Sequence, residues 1–339
     1  MNLIFRCDGS LEIGLGHVVR CLALAEELSD NHGCNVIFAM RKSDLGINLV
    51  RNRFIVDVPE ETNFHYENWL SQCIEKNNLN GLIFDTRDNL DKNIVLRLKQ
   101  KYNLLIIDID DPEDKRLTAD IVFYPPVKQV VQLDWTGFNG ELYSGWEYVI
   151  IRKEFLAEYP VPQNEIPNIL ISMGGSDPSD LTNFVVRALN KIEEHFTATI
   201  IIGPGYTFQK NLTETLTNVN YRYKIIQNPP DFAHIVANSN LGIIPFGQTA
   251  YEFAALNIPA IYLCLTEDHE KSAKLFVNEG IGISLGKLAA NHEQKLIETV
   301  LIHIHEKHIL KEMSERARLI KISNLNQIAS LILAKYHHE

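Results

Sequence analysis

Short apolar runs dominated by Val, Ile and Leu recur along the chain, and each gives way to a stretch with apolar residues at helical spacing. In the first half they fall at Leu3–Arg6, Asn35–Ala39, Gly81–Asp85, Leu104–Asp108 and Asp120–Phe123. In the second half they fall at Asn168–Met173, Ala198–Ile202, Tyr223–Ile226, Leu241–Pro245, Ala260–Cys264 and Ile281–Leu285. The runs hardly alternate, as expected of parallel strands buried on both faces. Amphipathic stretches such as Val18–Leu28 and Leu181–Ile192 lie between them. Strand–helix alternation in both halves predicts an α/β protein of two doubly wound, Rossmann-like domains facing a cleft, the default place for a ligand.

A Pro-rich, polar stretch that resists both helix and central strand marks the break between the halves. The expected division is a domain over residues 1–152, a linker over 153–167, a second domain over 168–320, and a terminal helix over 321–339 packing back toward the first domain. The pattern is helical from about Asn291 to Lys335.

Composition narrows the function classes. At ~150 residues per domain, 339 residues make about two domains, each able to bury its own core. With 32 Lys and Arg against 43 Asp and Glu, the net charge of −11 speaks against a nucleic-acid or anionic-membrane surface. A positive pocket for a small anion stays compatible with it. Cys7, Cys21, Cys34, Cys73 and Cys264 form no CxxC and sit mostly in apolar runs, so they read as reduced packing residues. No apolar stretch approaches the ~20 residues of a membrane span, and no signal-peptide core follows the first strand. A cytoplasmic location is expected.

The first strand runs into Arg6-Cys7-Asp8-Gly9-Ser10-Leu11-Glu12-Ile13-Gly14-Leu15-Gly16-His17 and then a helix. Glycines at such a junction let backbone approach a ligand and aim N–H groups at an anion. Gly14-x-Gly16 lacks the third glycine of a dinucleotide fingerprint, Val19 standing there, and the second strand ends at Met40-Arg41-Lys42 without a ribose-binding acid. No P-loop sequence occurs. His17, in the first helical turn, faces the positive end of the helix dipole, which favours the neutral imidazole suited to taking a proton from water or a sugar hydroxyl. A cap or packing role fits its position equally.

The second half repeats the device. Gly174-Gly175-Ser176-Asp177 follows one strand, where Asp177 either binds a ligand or caps the next helix. Gly247-Gln248-Thr249 follows another and offers donors to a diphosphate, while Glu252, one turn on, either accepts from ribose hydroxyls or serves as a first-turn acid. Thr266-Glu267-Asp268-His269-Glu270 follows a third strand toward the same edge.

Arg6-x-Asp8-x-Ser10-x-x-Ile13-Gly14-x-Gly16-His17-x-x-Arg20-Cys21-Leu22-x-Leu24-Ala25 resembles the opening motif of the pseudaminic-acid-pathway UDP-sugar hydrolases, the PseG family. Gly145-x-x-Tyr148-x-x-Ile151-Arg152-x-Glu154-Phe155 resembles that family's interdomain segment, and Met173-Gly174-Gly175-Ser176-Asp177 the start of its nucleotide domain. Within that family the chain resembles the SpsG proteins of spore-coat polysaccharide biosynthesis. The resemblance implies a GT-B fold and a reaction in which water releases UDP from a UDP-linked 2,4-diacetamido-trideoxy sugar. It places His17 as the general base, with Asp8 and Arg20 orienting the sugar or His17, and Ser10, Gly14, Gly16 and Asp85 around the sugar. Gly174, Gly175, Asp177, Gly247, Gln248, Thr249, Glu252, Asp268 and Glu270 would hold the nucleotide. A nucleotide sugar is the implied partner, and neither cofactor nor metal is expected. A glycosyltransferase using the same donor and a sugar acceptor is the competing reading.

The chain departs from the family in reading Asp85-Thr86-Arg87-Asp88 where Asp-His-Tyr is usual, and Tyr124-Pro125-Pro126 where Asn-containing residues are usual. Both changes fall on the sugar side. Asn228-Pro229-Pro230-Asp231-Phe232 puts prolines, which cannot donate, in the loop expected to read the base, so CDP or dTDP stands beside UDP. His303, His305 and His308 look like a metal cluster but lie in a helical stretch where His303 and His305 would point to different faces, with no cysteine nearby, so no metal site is expected. Asp108-Ile109-Asp110-Asp111 suggests Mg²⁺ or, as the stronger reading, helix or turn capping with contact to the cleft; Trp135 and Trp146 read as packing residues rather than stacking platforms, and Tyr336-His337-His338-Glu339 as a frayed tail.

Overall fold

A computed structural model describes residues 1–338 except 61–63, 89, 163 and 290. Gln163 of the expected linker and Glu339 of the terminal tail lie outside the described residues. The chain divides into two units, one of residues 1–151 with 322–339 and one of residues 152–321.

The first unit is built on β1 (Asn2–Cys7), α1 (Gly16–Asp30), β2 (Asn35–Ala39), α2 (Asp44–Arg51), β3 (Ile55–Asp57), α3 (Tyr66–Asn77), β4 (Gly81–Asp85), α4 (Lys92–Tyr102), β5 (Leu105–Ile109), β6 (Ile121–Tyr124) and β7 (Glu141–Ser144). Its sheet is ordered β3-β2-β1-β4-β5-β6-β7, and every pairing is parallel. The inner strands are buried on both faces, against one apolar cluster around Phe5, Val18, Leu24 and Phe38 and another around Ile4, Leu70, Phe84 and Leu98. Helices α3 and α4 stop at Asn78 and Asn103 in left-handed conformation, φ 48° and 50°, which asparagine tolerates better than branched residues.

The second unit holds β8 (Asn168–Ser172), α5 (Leu181–Leu189), β9 (Thr197–Ile202), α6 (Gln209–Leu216), β10 (Arg222–Gln227), α7 (Phe232–Ala237), β11 (Leu241–Pro245), α8 (Gln248–Ala255), β12 (Ala260–Cys264), α9 (Glu267–Asn278), β13 (Ile283–Lys287), α10 (His292–His305) and α11 (Lys307–Ala317). Its sheet is ordered β10-β9-β8-β11-β12-β13, again all parallel.

The chain then returns to the first unit as α12 (Leu325–His338). Ser323, at φ 63°, donates its N–H to Trp146 O, and Asn324 Oδ1 caps the new helix at Gln327 N. Leu325, Ile328, Ala329 and Ile332 then join the α1 core. Tyr336 packs on that core as well, so the tail expected to fray is helical through residue 338. The expected single helical run from residue 291 is three helices. Residues 153–167 belong to the second unit, and Phe155 is fully buried there, so they are more than a spacer. Two edge strands have no sequence counterpart in the reading above. β3 is only three residues long, and β7 reads Glu-Leu-Tyr-Ser, too polar for an apolar-run signal. Among the described residues no helix is long and apolar enough to cross a membrane.

Candidate active site

In each sheet the strand order reverses once, between β1 and β4 and between β8 and β11. In open α/β sheets ligands bind outside the carboxyl ends of strands at that reversal. The first reversal carries His17, in the helix that follows β1, and Asp85, the last residue of β4, which pairs in register with Cys7.

His17 Nδ1 lies 2.5 Å from Asp85 Oδ1. Arg20, one turn on along α1, donates from Nε to Asp85 Oδ2 at 2.5 Å and from Nη2 to Oδ1 at 2.6 Å. Its Nη1 reaches Asp110 Oδ2 at 2.9 Å. Asp85 is fully buried. Burial alone would push its carboxyl up, but the Arg20 guanidinium, with the hydrogen bond from His17 beside it, outweighs burial and holds it well below the usual carboxylate range. An ionised Asp85 fixes the His17 tautomer with the proton on Nδ1, leaving the lone pair on Nε2. Among the described residues Nε2 has no hydrogen-bond partner, and the side chain is 24% exposed, so water can reach it. The helix starts without a side-chain cap, Leu15 standing at the N-cap. His17 is thus turned to Asp85 and does not cap the helix.

The other first-unit residues divide between loop support and exposed surface. Asp8 Oδ2 accepts from Arg6 Nη2 at 2.6 Å and its Oδ1 from Arg41 N at 2.7 Å, so the carboxylate ties the end of β1 to the end of β2. Ser10 Oγ accepts from Glu12 N and Ile13 N, and Ser10 and Gly14 exchange backbone hydrogen bonds. Gly14 has φ 77° with open space where a side chain would stand, and Gly16 opens α1. Asp85, expected against the sugar, lies beneath His17 with its oxygens committed. The sequence reading quoted Arg6 in its opening motif but gave it no role; it is fully buried at the carboxyl end of β1 and bonded to Asp8, Asp88 and Tyr66. A lone cation in an apolar strand was the available signal. Arg87 is half exposed, with Nη2 3.8 Å from Asp110 Oδ2.

In the second unit Gly174, with φ 79° and nothing near its missing side chain, leads the loop after β8. Gly203, after β9, runs so close that a Cβ there would lie 2.3 Å from Gly174 O and 2.5 Å from Gly175 O. Gly205 N donates to Gly175 O at 2.7 Å, a second loop contact the sequence reading missed. Asp177 is buried and accepts from Leu181 N, Thr182 N and Thr182 Oγ1, so of its two readings the structure shows the cap. Burial pushes its carboxyl up despite those bonds.

Gly247 precedes α8 with open space at its missing side chain, and Gln248 and Thr249 form the first turn. Glu252, on the next turn, is 2% exposed and gripped by Arg152, with Nε–Oε1 2.8 Å and Nη2–Oε2 3.0 Å. Asp268 is exposed at the start of α9, and Glu270 Oε2 accepts from Lys287 N at 3.2 Å. Among the described residues no group of His, Cys, Asp and Glu is arranged to hold a metal ion. His303 Nδ1 is bonded to Thr299 O, while His305 and His308 face Glu194 and Glu306.

Residues 169–332 match the model of the glycosyltransferase family 28 C-terminal domain. An uncharacterized protein of Methanocaldococcus jannaschii is 30% identical over 285 residues, 79% of this chain and 56% of that protein. The chain therefore spans little more than half the length of that relative. The spore coat polysaccharide biosynthesis protein SpsG of Bacillus subtilis is 25% identical over 84% of both chains. The UDP-2,4-diacetamido-2,4,6-trideoxy-β-L-altropyranose hydrolase of Campylobacter jejuni is 23% identical over 83% of this chain and 97% of its own. Among solved structures, MurG of Acinetobacter baumannii superposes with TM-score 0.69 at 15% identity, covering 98% of this chain and 99% of its own. The glycosyltransferase VinC in complex with dTDP superposes with TM-score 0.66 at 10% identity over the full length of both. The fold is GT-B.

Proposed function

We propose that this GT-B chain, a homologue of SpsG and of the altropyranose hydrolase, is a nucleotide-sugar hydrolase of surface or spore-coat polysaccharide biosynthesis. Its substrate in this reading is a UDP-linked 2,4-diacetamido-trideoxy hexose. The observation that carries the reading is the Asp85–His17 pair at the first sheet's reversal point, with Nε2 left for a water molecule. Water attacks the anomeric carbon, the bond from that carbon to the diphosphate oxygen breaks, UDP departs, and the water proton passes to His17 Nε2. In the second unit, the backbone N–H groups of Gly247–Thr249 and the glycine loop at Gly174–Gly175 are the donors this reading assigns to the diphosphate, whose stabilisation would be the larger electrostatic share of the catalysis.

Asp8, Ser10 and Asp85 support this site from below in the reading. Gly14, Gly16, His17, Arg20 and Arg87 are the groups left nearer the sugar. Asp268 and Glu270 lie on the loop assigned to sugar and ribose. Incubation of the protein with UDP-linked diacetamido sugars, with and without sugar acceptors, tests the proposal by product analysis. Free sugar and UDP formed without acceptor support hydrolysis. Product formed only with an acceptor replaces it by glycosyl transfer, the chemistry in the name of the structural neighbour VinC.

A further inference from the structure

Arg152 is the first residue of the second unit, and its guanidinium is held by Glu252, Glu154 and two aromatic rings. It grips both oxygens of Glu252 through Nε and Nη2, at 2.8 and 3.0 Å. One ring, Phe155, lies 4.6 Å from its central carbon, and a second, Phe232, lies 5.5 Å from it. Phe232 closes the loop Asn228–Phe232 expected to meet the base, and Glu252 stands one turn inside the helix expected to meet the ribose. We propose that Arg152 is a positioning residue for the nucleotide: it holds Glu252 aimed and ionised for the ribose hydroxyls, and couples that carboxylate to the base loop through Phe232. The inference rests on the nucleotide-sugar reading above.

The physical argument turns on what Glu252 would do alone. A carboxylate that is 2% exposed loses its hydration, and burial pushes its carboxyl up even with Arg152 beside it. Arg152 is the cation facing it. The other charged group near it is Glu154, whose negative charge pushes the same way as burial and whose Oε1 lies 3.3 Å from Arg152 Nη1. Two ribose hydroxyls supply hydrogen bonds but no charge, so displacing Arg152 during binding would strand a buried anion. Arg152 therefore stays in place. Its two-point grip occupies one side of each oxygen and leaves further lone pairs for the diol. Flanked by two aromatic rings and 30% exposed, the guanidinium cannot swing freely, and any shift of the base loop is felt at Glu252.

The test is calorimetric titration with UDP, first of the unmodified protein. No binding there overturns the nucleotide reading and leaves nothing for Arg152 to position. With binding established, Arg152→Gln is expected to raise Kd by about tenfold or more. The ratio of variant to unmodified Kd should grow as the pH falls, because burial pushes the Glu252 carboxyl up and the variant has no cation to oppose it. The ratio cancels the titration of UDP itself. Glu252→Gln should show a similar loss, and the double variant no more than that of Glu252→Gln alone. Arg152→Lys, which keeps the charge, should recover part of the affinity and keep the ratio flat with pH. If Arg152→Gln does not fold, as judged by its melting transition, Arg152→Lys takes its place in the cycle with Glu252→Gln. An unchanged Kd for the folded Arg152 variant overturns the proposal, as do full additivity with Glu252→Gln or a pH-independent loss in Arg152→Gln. None of these touches the nucleotide reading.

Discussion

Arg20 grips Asp85 with two parallel hydrogen bonds, Nε to Oδ2 at 2.5 Å and Nη2 to Oδ1 at 2.6 Å, so His17 shares an oxygen already claimed by a fixed cation. The carboxylate under the imidazole is therefore largely neutralised by its other partner. Its contribution to His17 is direction more than charge: it sets which nitrogen carries the proton and where the other nitrogen points.

Replacing His17 by Ala should lower turnover of the nucleotide sugar by about 10²- to 10⁴-fold, the usual worth of a positioned general base. Binding of UDP should be unchanged, because His17 is assigned to the water. Single-turnover rates with calorimetry separate the two, and undiminished turnover in a folded variant removes His17 from the mechanism.

Arg20→Met should destabilise the protein by about 3–5 kcal/mol, since it leaves the buried Asp85 charge without its main partner. Chemical denaturation measures it. Arg20→Met combined with Asp85→Leu should recover much of that loss while staying inactive, because the stranded charge is gone.

Acid stability follows from Asp85 with a definite sign. Its folded carboxyl sits below the usual range, so its stabilisation is present above the unfolded value of about 3.9 and is lost as the pH falls toward the folded value. Below pH ~4 the gap in melting temperature between the unmodified protein and Asp85→Asn should narrow with each step of acidification. A constant gap rules out this linkage.

Asp108, at the carboxyl end of β5, is 1% exposed, and neither of its oxygens has a hydrogen-bond partner among the described residues. Burial and the nearby Asp111 push its carboxyl well above the usual range, only partly opposed by Lys115. The sign is opposite to that of Asp85: the associated stability is full below the unfolded value and is lost as the pH rises toward the folded one. Asp108→Asn should therefore raise the melting temperature at alkaline pH, by about 2–4 °C for each kcal/mol recovered. The gain should shrink on acidification.

Gly203→Ala places a Cβ against the backbone oxygens of Gly174 and Gly175, which cannot rotate away as a side chain would. The loop after β8 must shift. UDP affinity should fall by about tenfold with a smaller change in melting temperature, and calorimetry beside thermal unfolding shows whether the two separate.

Much of the fold was legible in the apolar runs. Inner strands such as β1, β4 and β8 are buried on both faces, and burial on both faces is what writes a continuous run into a sequence. The edge strands β3 and β7 were not legible, because half-covered strands need no such run. At the site, the loop glycines and His17 were legible as local signals. Arg152 and Glu252 were each visible in motifs, but their pairing was not, since 100 residues separate them.

The sequence by itself determined which segments become strand or helix, and that chemistry-bearing residues follow the carboxyl ends of β1, β8, β11 and β12. Those are properties of near neighbours: side-chain spacing, glycine at a turn, a polar residue at a helix start. Only the tertiary structure decided what each group does. Parallel pairing of β1 with β4 brings Asp85 under His17 from 68 residues away. Packing likewise supplies partners within the chain to Asp8, Asp85 and Asp177, all expected around the ligand. A carboxylate's role is set by the partners that reach its oxygens once it is buried, and burial is a property of the packed sheet that no local stretch of sequence contains.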